Sequence, residues 1–341
     1  MPSTRKPTPS AASSPPRRRP KAPISPLGIP PKILTKLRTI VVYGGSFDPP
    51  HFYHTVGPLS IIPRLFGPAG WLLYIPAARN PHKPGGPHAS DAHRLAMLNV
   101  ALDLPGQRSI WTDEIDRATW HAQRGTTSPS YTIDTLKRLR SILPASITLR
   151  LLIGSDQVTT FHKWKEPRQI VSLAEPLIMP REPNALVSSI YSSLDGEFWS
   201  RQEKADWCRR IAPSFPMPSA STDLRSAIPG APARAAAWER RAPLRDVITP
   251  VAQYIIDHNL YGFRPGPVKA ATPVSVPSGD SPGTMNRIMA NVNRTLATLN
   301  QTIPLAISKL KARTESKQSA PTRQTTRNAK ASRKSSSRKR S

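Results

Sequence analysis

Short apolar runs alternate with helical stripes through the middle of this chain. Arg38–Tyr43, ending Ile40-Val41-Val42-Tyr43, predicts a buried strand. Thr55–Leu65 offers a helix, with Pro58 and Pro63 leaving its length open. Trp71–Pro76 predicts a second buried strand. Asp91–Leu104 sets Leu95, Leu98 and Leu102 on one helical face, with Asp91 near an N-cap position. Ile110-Trp111 reads as a short strand, followed by a polar excursion from Thr112 to Pro129. Within Ser130–Leu143, the positions Ile133, Leu136, Leu139 and Leu143 form a helical stripe. Ile147–Ile153 predicts a strand ending at Gly154-Ser155-Asp156, Phe161–Leu173 a short helix, and Pro176–Met179 a last strand. Residues 182–218 read as a connection with one weak helix around Glu197–Ile211. Thr222–Ile228 predicts a helical turn, and Val247–Asn259 a closing core helix ending near Gly262.

This alternation predicts an α/β fold: a doubly wound, Rossmann-like parallel sheet. Ligands of such sheets sit outside the carboxyl ends of the strands. Three chemically rich segments fall there: Gly44–His54, Asn80–Lys83 and Gly154–Asp156. Their coincidence points to one site.

Charge divides the chain further. Residues 1–38 carry nine Lys/Arg and no acid, and residues 264–341 carry sixteen Lys/Arg and two acids. Of the net +28, these ends take +9 and +14, leaving +5 on residues 39–263. The ends are rich in Pro, Ser, Thr and Ala and poor in aromatics, a composition that cannot offset ordering entropy. The expected organisation is a disordered Pro/Arg-rich extension over 1–37, a catalytic domain over 38–263 and a largely disordered basic tail over 264–341. In the tail, Met285, Ile288, Met289, Val292, Leu296, Leu299 and Ile303 recur at helical spacing, the pattern of a short amphipathic helix for self-association or a partner, or of a marginal helix with neither. Blocks such as Arg17-Arg18-Arg19 and Arg338-Lys339-Arg340 predict non-specific contact with polyanions, nucleic acid included. The single cysteine, Cys208, excludes an internal disulfide framework and suits a reducing, cytoplasmic setting. No apolar run approaches the roughly 18–20 residues of a membrane span.

The chemistry concentrates in Gly44-Gly45-Ser46-Phe47-Asp48-Pro49-Pro50-His51-Phe52-Tyr53-His54. A strand, a small-residue turn and a helix start bring backbone N–H groups against phosphate. Two imidazoles beside such donors suit the charge that develops on a transferring phosphoryl group. They also suit a metal, but no third ligand stands at sensible spacing, so phosphate contact is favoured and no metal-ligating residue is assigned.

This segment resembles the signature of the nucleotidyltransferase superfamily with paired histidines, and more specifically that of the bacterial nicotinate-nucleotide adenylyltransferases. Further segments resemble that family in order: Ile75-Pro76 with Asn80-Pro81-His82-Lys83; His93–Leu98; Ser128–Thr132 with Thr135-Leu136; Ile153–Gln157 with Trp164; Ser221-Thr222-Asp223-Leu224-Arg225; and Val251–Tyr261. Two positions depart from it. Tyr53 stands where the family usually has glycine, and Ala220 replaces the first serine of the late motif.

The resemblance implies attack of nicotinate mononucleotide on the α-phosphorus of ATP, with Mg²⁺ accompanying the ATP. It implies that His51 and His54 bind the phosphates and stabilise the transition state. Gly44, Gly45, Ser46 and Phe47 would approach the nucleotide. Gly154 and Asp156 would meet the adenosine, while Ser221, Thr222 and Arg225 would hold the β- and γ-phosphates. Asn80, Lys83, Tyr131, Thr132 and Trp164 would form the nicotinate mononucleotide pocket. The competing readings are a sister adenylyltransferase acting on nicotinamide mononucleotide or phosphopantetheine, and a polyanion-tethered protein acting through its basic ends.

Overall fold

A computed structural model describes residues 21–79, 85–127, 129–181, 184, 186–213 and 221–264. Its centre is one five-stranded sheet, all parallel: β1 (Thr39–Gly45), β2 (Gly70–Pro76), β3 (Arg108–Ile110), β4 (Thr148–Gly154) and β5 (Glu175–Met179). The order is β3-β2-β1-β4-β5. β1 pairs with β2 on one side (Val42 opposite Leu73) and with β4 on the other (Val42 opposite Leu151). The chain therefore winds one way from β1 to β3 and the other way through β4 and β5. The direction reverses between β1 and β4, which is where an open α/β sheet holds its ligand.

Alternation along the strands builds two cores, because successive side chains leave opposite faces. Ile40, Val42, Leu149, Leu151 and Ile153 face one side. Val41, Tyr43, Leu72, Tyr74 and Leu152 face the other.

Besides single helical turns at Pro31–Leu34 and Ser155–Val158, the helices among the described residues are α1 (Val56–Phe66), α2 (Asp91–Ala101), α3 (Asp113–Ala122), α4 (Thr132–Ile142), α5 (Pro167–Leu173), α6 (Val187–Ser193), α7 (Arg201–Arg209), α8 (Ser221–Ala227) and α9 (Thr249–Asp257). The Ile133–Leu136–Leu139 stripe of α4 and Ile170 of α5 close the first core. Ile61 and Ile62 of α1 and Leu98 of α2 close the second. A third cluster joins Met97 of α2, Leu224 of α8, Trp238, and Val251 and Ile255 of α9. It ties the end of the described chain to α2.

Three local expectations are revised. The helix expected over Phe161–Leu173 is broken: a 3₁₀ turn at Phe161–Lys163 gives way to an extended Trp164 and a left-handed Glu166, and α5 starts only at Pro167. Pro167 stands at the first position of α5, where its missing N–H and fixed φ suit a helix start rather than a helix interior. The polar excursion after Trp111 contains α3, whose inner face is ionic: Asp113, Glu114 and Arg117 are buried there. The boundary expected at 38 also moves. Ala22, Ile29 and Leu37 are buried. Arg138 donates to the carbonyls of Ala22 and Pro23 at 3.3 and 2.7 Å, and the Trp111 indole donates to that of Ser25 at 2.9 Å. Side-chain donors from the domain thus hold a proline-rich segment whose Ile29 and Leu37 enter the first core, with Leu27, Ile33 and Leu34 packed against it. The readings made for residues 265–341 lie outside the described residues.

Candidate active site

β1 ends at Gly44-Gly45, and the loop that follows carries the histidines. A Cβ on Gly45 would meet the buried Phe47 ring at 3.1 Å, so any larger residue there must push that ring aside. Phe47 adopts a left-handed backbone (φ 48°), which folds its ring back into the core against Tyr43, Tyr74 and His54. Its side chain is buried behind the imidazoles, so what it can offer a ligand is backbone.

Long-range hydrogen bonds hold the loop in shape. The Arg94 guanidinium, fully buried on α2, donates to the carbonyls of Ser46 and Ala77 at 2.6 and 2.7 Å and to the Asp91 carboxylate at 2.6 Å. The buried Asp48 carboxylate accepts from the backbone N–H groups of His88 and Ala89 at 2.7 and 3.1 Å and from the Tyr261 hydroxyl at 2.7 Å. From α8, Arg225 donates to the Asp48 carbonyl at 2.7 Å, and the Ser221 hydroxyl donates to that of Pro49 at 3.3 Å.

These braces present His51 and His54 side by side. Their ring centroids are 4.0 Å apart and the planes tilt by 43°. His51 is 1% exposed, and among the described residues neither of its ring nitrogens has a hydrogen-bond partner. Burial, then the neighbouring His54, then Arg181 push its pKa well below the ordinary imidazole value. His51 is therefore neutral near pH 7, with one N–H to donate and one nitrogen to accept. The Tyr74 hydroxyl donates to the His54 carbonyl at 2.9 Å, anchoring the second histidine from below.

A second group lies at the ends of β4 and β5. Gly154 closes β4, with Ser155 buried and Asp156 exposed just beyond it. Asp156 pairs with Arg181 at 3.3 Å. Ser155 accepts from the Arg181 N–H at 2.8 Å and donates back to the Arg181 carbonyl at 3.1 Å.

A third group gathers around the start of α4. The Ser130 N–H donates to the Arg79 carbonyl at 3.2 Å, joining this segment to the loop after β2. Tyr131 takes the cap position of α4 and contributes no side-chain acceptor to the helix's first N–H groups. Below it, Glu114 accepts from the Thr135 hydroxyl at 2.7 Å, and its burial raises its carboxyl pKa. The Lys165 ammonium sits 4.7 Å over the Tyr131 ring. Trp164 stacks on Phe161 at 4.7 Å with 28° between planes, and its half-burial leaves part of the indole open.

Residues 42–226 match the model of the Cytidylyltransferase-like family. A probable nicotinate-nucleotide adenylyltransferase of Chromobacterium violaceum is 31% identical over 224 residues, covering 64% of this chain and 97% of that protein. One from Rhodopirellula baltica is 38% identical over 157 residues, covering 46% of this chain and 67% of that protein. The chain belongs to the nicotinate-nucleotide adenylyltransferases of the Cytidylyltransferase-like family. A solved Plasmodium falciparum nicotinic acid mononucleotide adenylyltransferase is 16% identical, covering 67% of this chain and 98% of that one, with a TM-score of 0.44.

Within this adenylyltransferase, the sequence-expected site residues separate into groups. Gly44, Gly45, Ser46, His51 and His54 lie in one loop, and Ser221 and Arg225 bind that loop directly. Thr222 joins them through Arg225, at 3.2 Å. Gly154 and Asp156 lie beyond β4; Tyr131, Thr132 and Trp164 lie around the start of α4. Asn80 and Lys83, like Ala220, fall outside the described residues. Asp48, Arg94, Ser155 and Tyr261 lie in segments that resemble the family but carry no role readable from sequence, and Arg181 lies outside those segments. Their roles come from contacts distant in sequence, which the local motifs do not specify.

Proposed function

We propose that this protein transfers the adenylyl group of ATP to nicotinate mononucleotide, giving deamido-NAD and pyrophosphate, a step of NAD biosynthesis. The observation that carries the reading is the His51–His54 pair at the β1/β4 reversal, with both His51 nitrogens unclaimed among the described residues.

The chemistry is a displacement at phosphorus. An oxygen of the acceptor's phosphate bonds to the α-phosphorus of ATP. The bond from that phosphorus to the bridging oxygen breaks, and pyrophosphate leaves with the electron pair. Little covalent work is asked of the protein, so catalysis rests on positioning and on stabilising charge. His51 and His54 are arranged to hydrogen-bond oxygens on the α-phosphorus as that charge develops. Arg225 spends donors on Asp48 and Thr222 and keeps others for the β- and γ-phosphates, with Ser221 and Thr222 beside it. Asp156 is placed to accept from ribose hydroxyls. The open part of Trp164 suits a pyridine ring, and the uncapped start of α4 suits its carboxylate. Asn80 and Lys83 complete the acceptor pocket in this reading on the strength of the sequence alone.

Among the described residues, no three His, Cys, Asp or Glu side chains cluster as a metal cage, and the Asp48 carboxylate is already occupied by three donors. That donor set fits Mg²⁺ carried on the ATP phosphates and water.

The test is pyrophosphate release from Mg-ATP with nicotinate or nicotinamide mononucleotide, on the wild type and on His54→Ala. The reading expects the acid to be preferred and the variant to lose most turnover. A tenfold preference for the amide overturns the acceptor assignment, and unchanged turnover in His54→Ala overturns the mechanism.

A further inference from the structure

Tyr53 lies between the two histidines in sequence; its ring centroid is 6.4 Å from each of theirs, and its hydroxyl reaches the end of β5. It is 3% exposed. Its hydroxyl donates to the carbonyl of Met179, the last residue of β5, at 2.9 Å. The Met179 side chain is held in turn against α1, where a Cβ on Gly57 would lie 3.1 Å from its sulfur. The Arg181 guanidinium sits 5.2 Å over the Tyr53 ring, and the same guanidinium pairs with Asp156. A Cβ on Gly154 would come within 3.1 Å of the Tyr53 hydroxyl and would collide with the Asp156 carboxylate. One phenol thus meets three chain segments: the histidine loop, the end of β4 and the end of β5.

Core filling alone does not require this arrangement. A phenylalanine or leucine fills space, whereas this hydroxyl reaches a backbone carbonyl 126 residues away and the ring face carries a cation that reaches on to Asp156. The histidines address the phosphate end of a nucleotide and Asp156 its sugar. The element joining the two sets the distance between them.

We propose that Tyr53 is a positioning residue for the nucleotide, fixing the Arg181–Asp156 pair at a set distance from His51 and His54 so that the triphosphate and the ribose are engaged together. This inference rests on the reading of the site as an ATP site. Tyr53 touches neither substrate in it; it acts through Arg181 and the end of β5. Loss of the hydroxyl releases the Met179 carbonyl, and loss of the ring removes the surface under Arg181. Each loosens the nucleoside end while leaving the acceptor pocket around Trp164 untouched.

The experiment measures binding of α,β-methylene ATP with Mg²⁺ to the full chain by calorimetry, together with steady-state constants for both substrates, in Tyr53→Phe, Tyr53→Leu, Arg181→Gln and Tyr53→Leu/Arg181→Gln. Tyr53→Phe should weaken analogue binding roughly three- to tenfold, the scale of one hydrogen bond. Tyr53→Leu should weaken it more, and Arg181→Gln should cost little further in the Tyr53→Leu background. The KM for the acceptor should stay within about twofold. A thermal-stability loss with analogue affinity unchanged in Tyr53→Phe overturns the proposal, as does an equal loss for both substrates. Tyr53→Phe keeps the ring and its packing, so it decides the matter even where Tyr53→Leu does not fold. Binding of the analogue is read without turnover. A wild-type chain that binds it tightly yet does not adenylate nicotinate mononucleotide refutes the proposed reaction, and the Tyr53 variants still test this inference.

Discussion

Tyr261 donates its hydroxyl to the Asp48 carboxylate at 2.7 Å, joining the end of the described chain to the loop that carries the histidines. Tyr261 has a left-handed backbone (φ 55°), so the bond is made from a constrained position. Burial, then the Asp48 charge, hold the phenol protonated far above its ordinary range, which keeps it a donor. Tyr261→Phe leaves the buried carboxylate with two partners in place of three. It should cost about 1.5–3 kcal/mol in urea unfolding, the scale for a hydrogen bond to a charged group. kcat should fall in the same variant, because Asp48 lies three residues before His51. A stability change below about 0.5 kcal/mol would show that the carboxylate does not depend on this donor.

Arg94 offers a second test. Its guanidinium is fully buried and spans two backbone carbonyls and a carboxylate. Lysine has no planar fork and cannot reach all three at once. Arg94→Lys should lower stability by about 1–3 kcal/mol, the scale for leaving a buried carbonyl unpaired, since the exposed Asp91 adds little. The measurement is the unfolding midpoint, and an unchanged midpoint would contradict the bracing role.

The sheet and the histidine loop were legible for physical reasons, and so were the gaps around them. Runs such as Ile40-Val41-Val42-Tyr43 and Trp71-Leu72-Leu73-Tyr74 are apolar throughout because both faces of the sheet are covered. The α4 stripe was legible because Ile133, Leu136 and Leu139 all pack inward. Helix α3 hid itself, since an inner face of Asp113, Glu114 and Arg117 reads as solvent-facing. Residues 21–37 hid for another reason: their apolar side chains, Ile29 and Leu37 in the core, are spaced among prolines with no strand or long-helix period, and their carbonyls, captured by Arg138 and Trp111, leave no mark in sequence. In the site, the side chains proposed to face a ligand carried local motifs. The bracing roles of Arg94 and Tyr261, which lie in such motifs, and of Arg181, which does not, are exerted across the fold and cannot be read from spacing. Tyr53 was visible as an oddity, but its direction is set by Met179, 126 residues on.

Trp164 tests the proposed acceptor pocket apart from the ATP site. One face of the indole is committed to Phe161, so its substitution costs some packing as well as any stacking on the acceptor. Trp164→Ala should raise the KM for nicotinate mononucleotide about tenfold, within the range for base–aromatic stacking, and leave the KM for ATP within about threefold. Trp164→Phe should recover most of the loss. Equal effects on both substrates would assign Trp164 to packing alone.

The basic tail gives a prediction that depends on charge only. Residues 264–341 hold sixteen Lys/Arg against two acids. Removing residues 265–341 should leave adenylyl transfer within about twofold and should weaken retention on heparin, with the remaining retention less dependent on salt. Loss of turnover in a folded truncation would make the tail part of the enzyme.

The last prediction concerns pH and follows from the burial of His51. Its folded pKa lies well below the ordinary value of 6.5, with burial the largest cause and His54 the next. Above 6.5 the imidazole is neutral in both folded and unfolded chains, and its contribution to stability is fully present. As pH falls below 6.5 the unfolded chain takes up a proton that the folded chain refuses, so stability declines until the folded His51 also protonates. The slope from this one group reaches at most about 1.4 kcal/mol per pH unit. Unfolding free energy measured between pH 7 and 5 should therefore fall in the wild type and fall less steeply in His51→Asn, which cannot titrate. Titration of His51 should not lower turnover while the chain stays folded in this window, since the folded imidazole remains neutral and keeps its N–H for the phosphate. Parallel stability slopes in the two proteins would show that His51 is not the group that titrates.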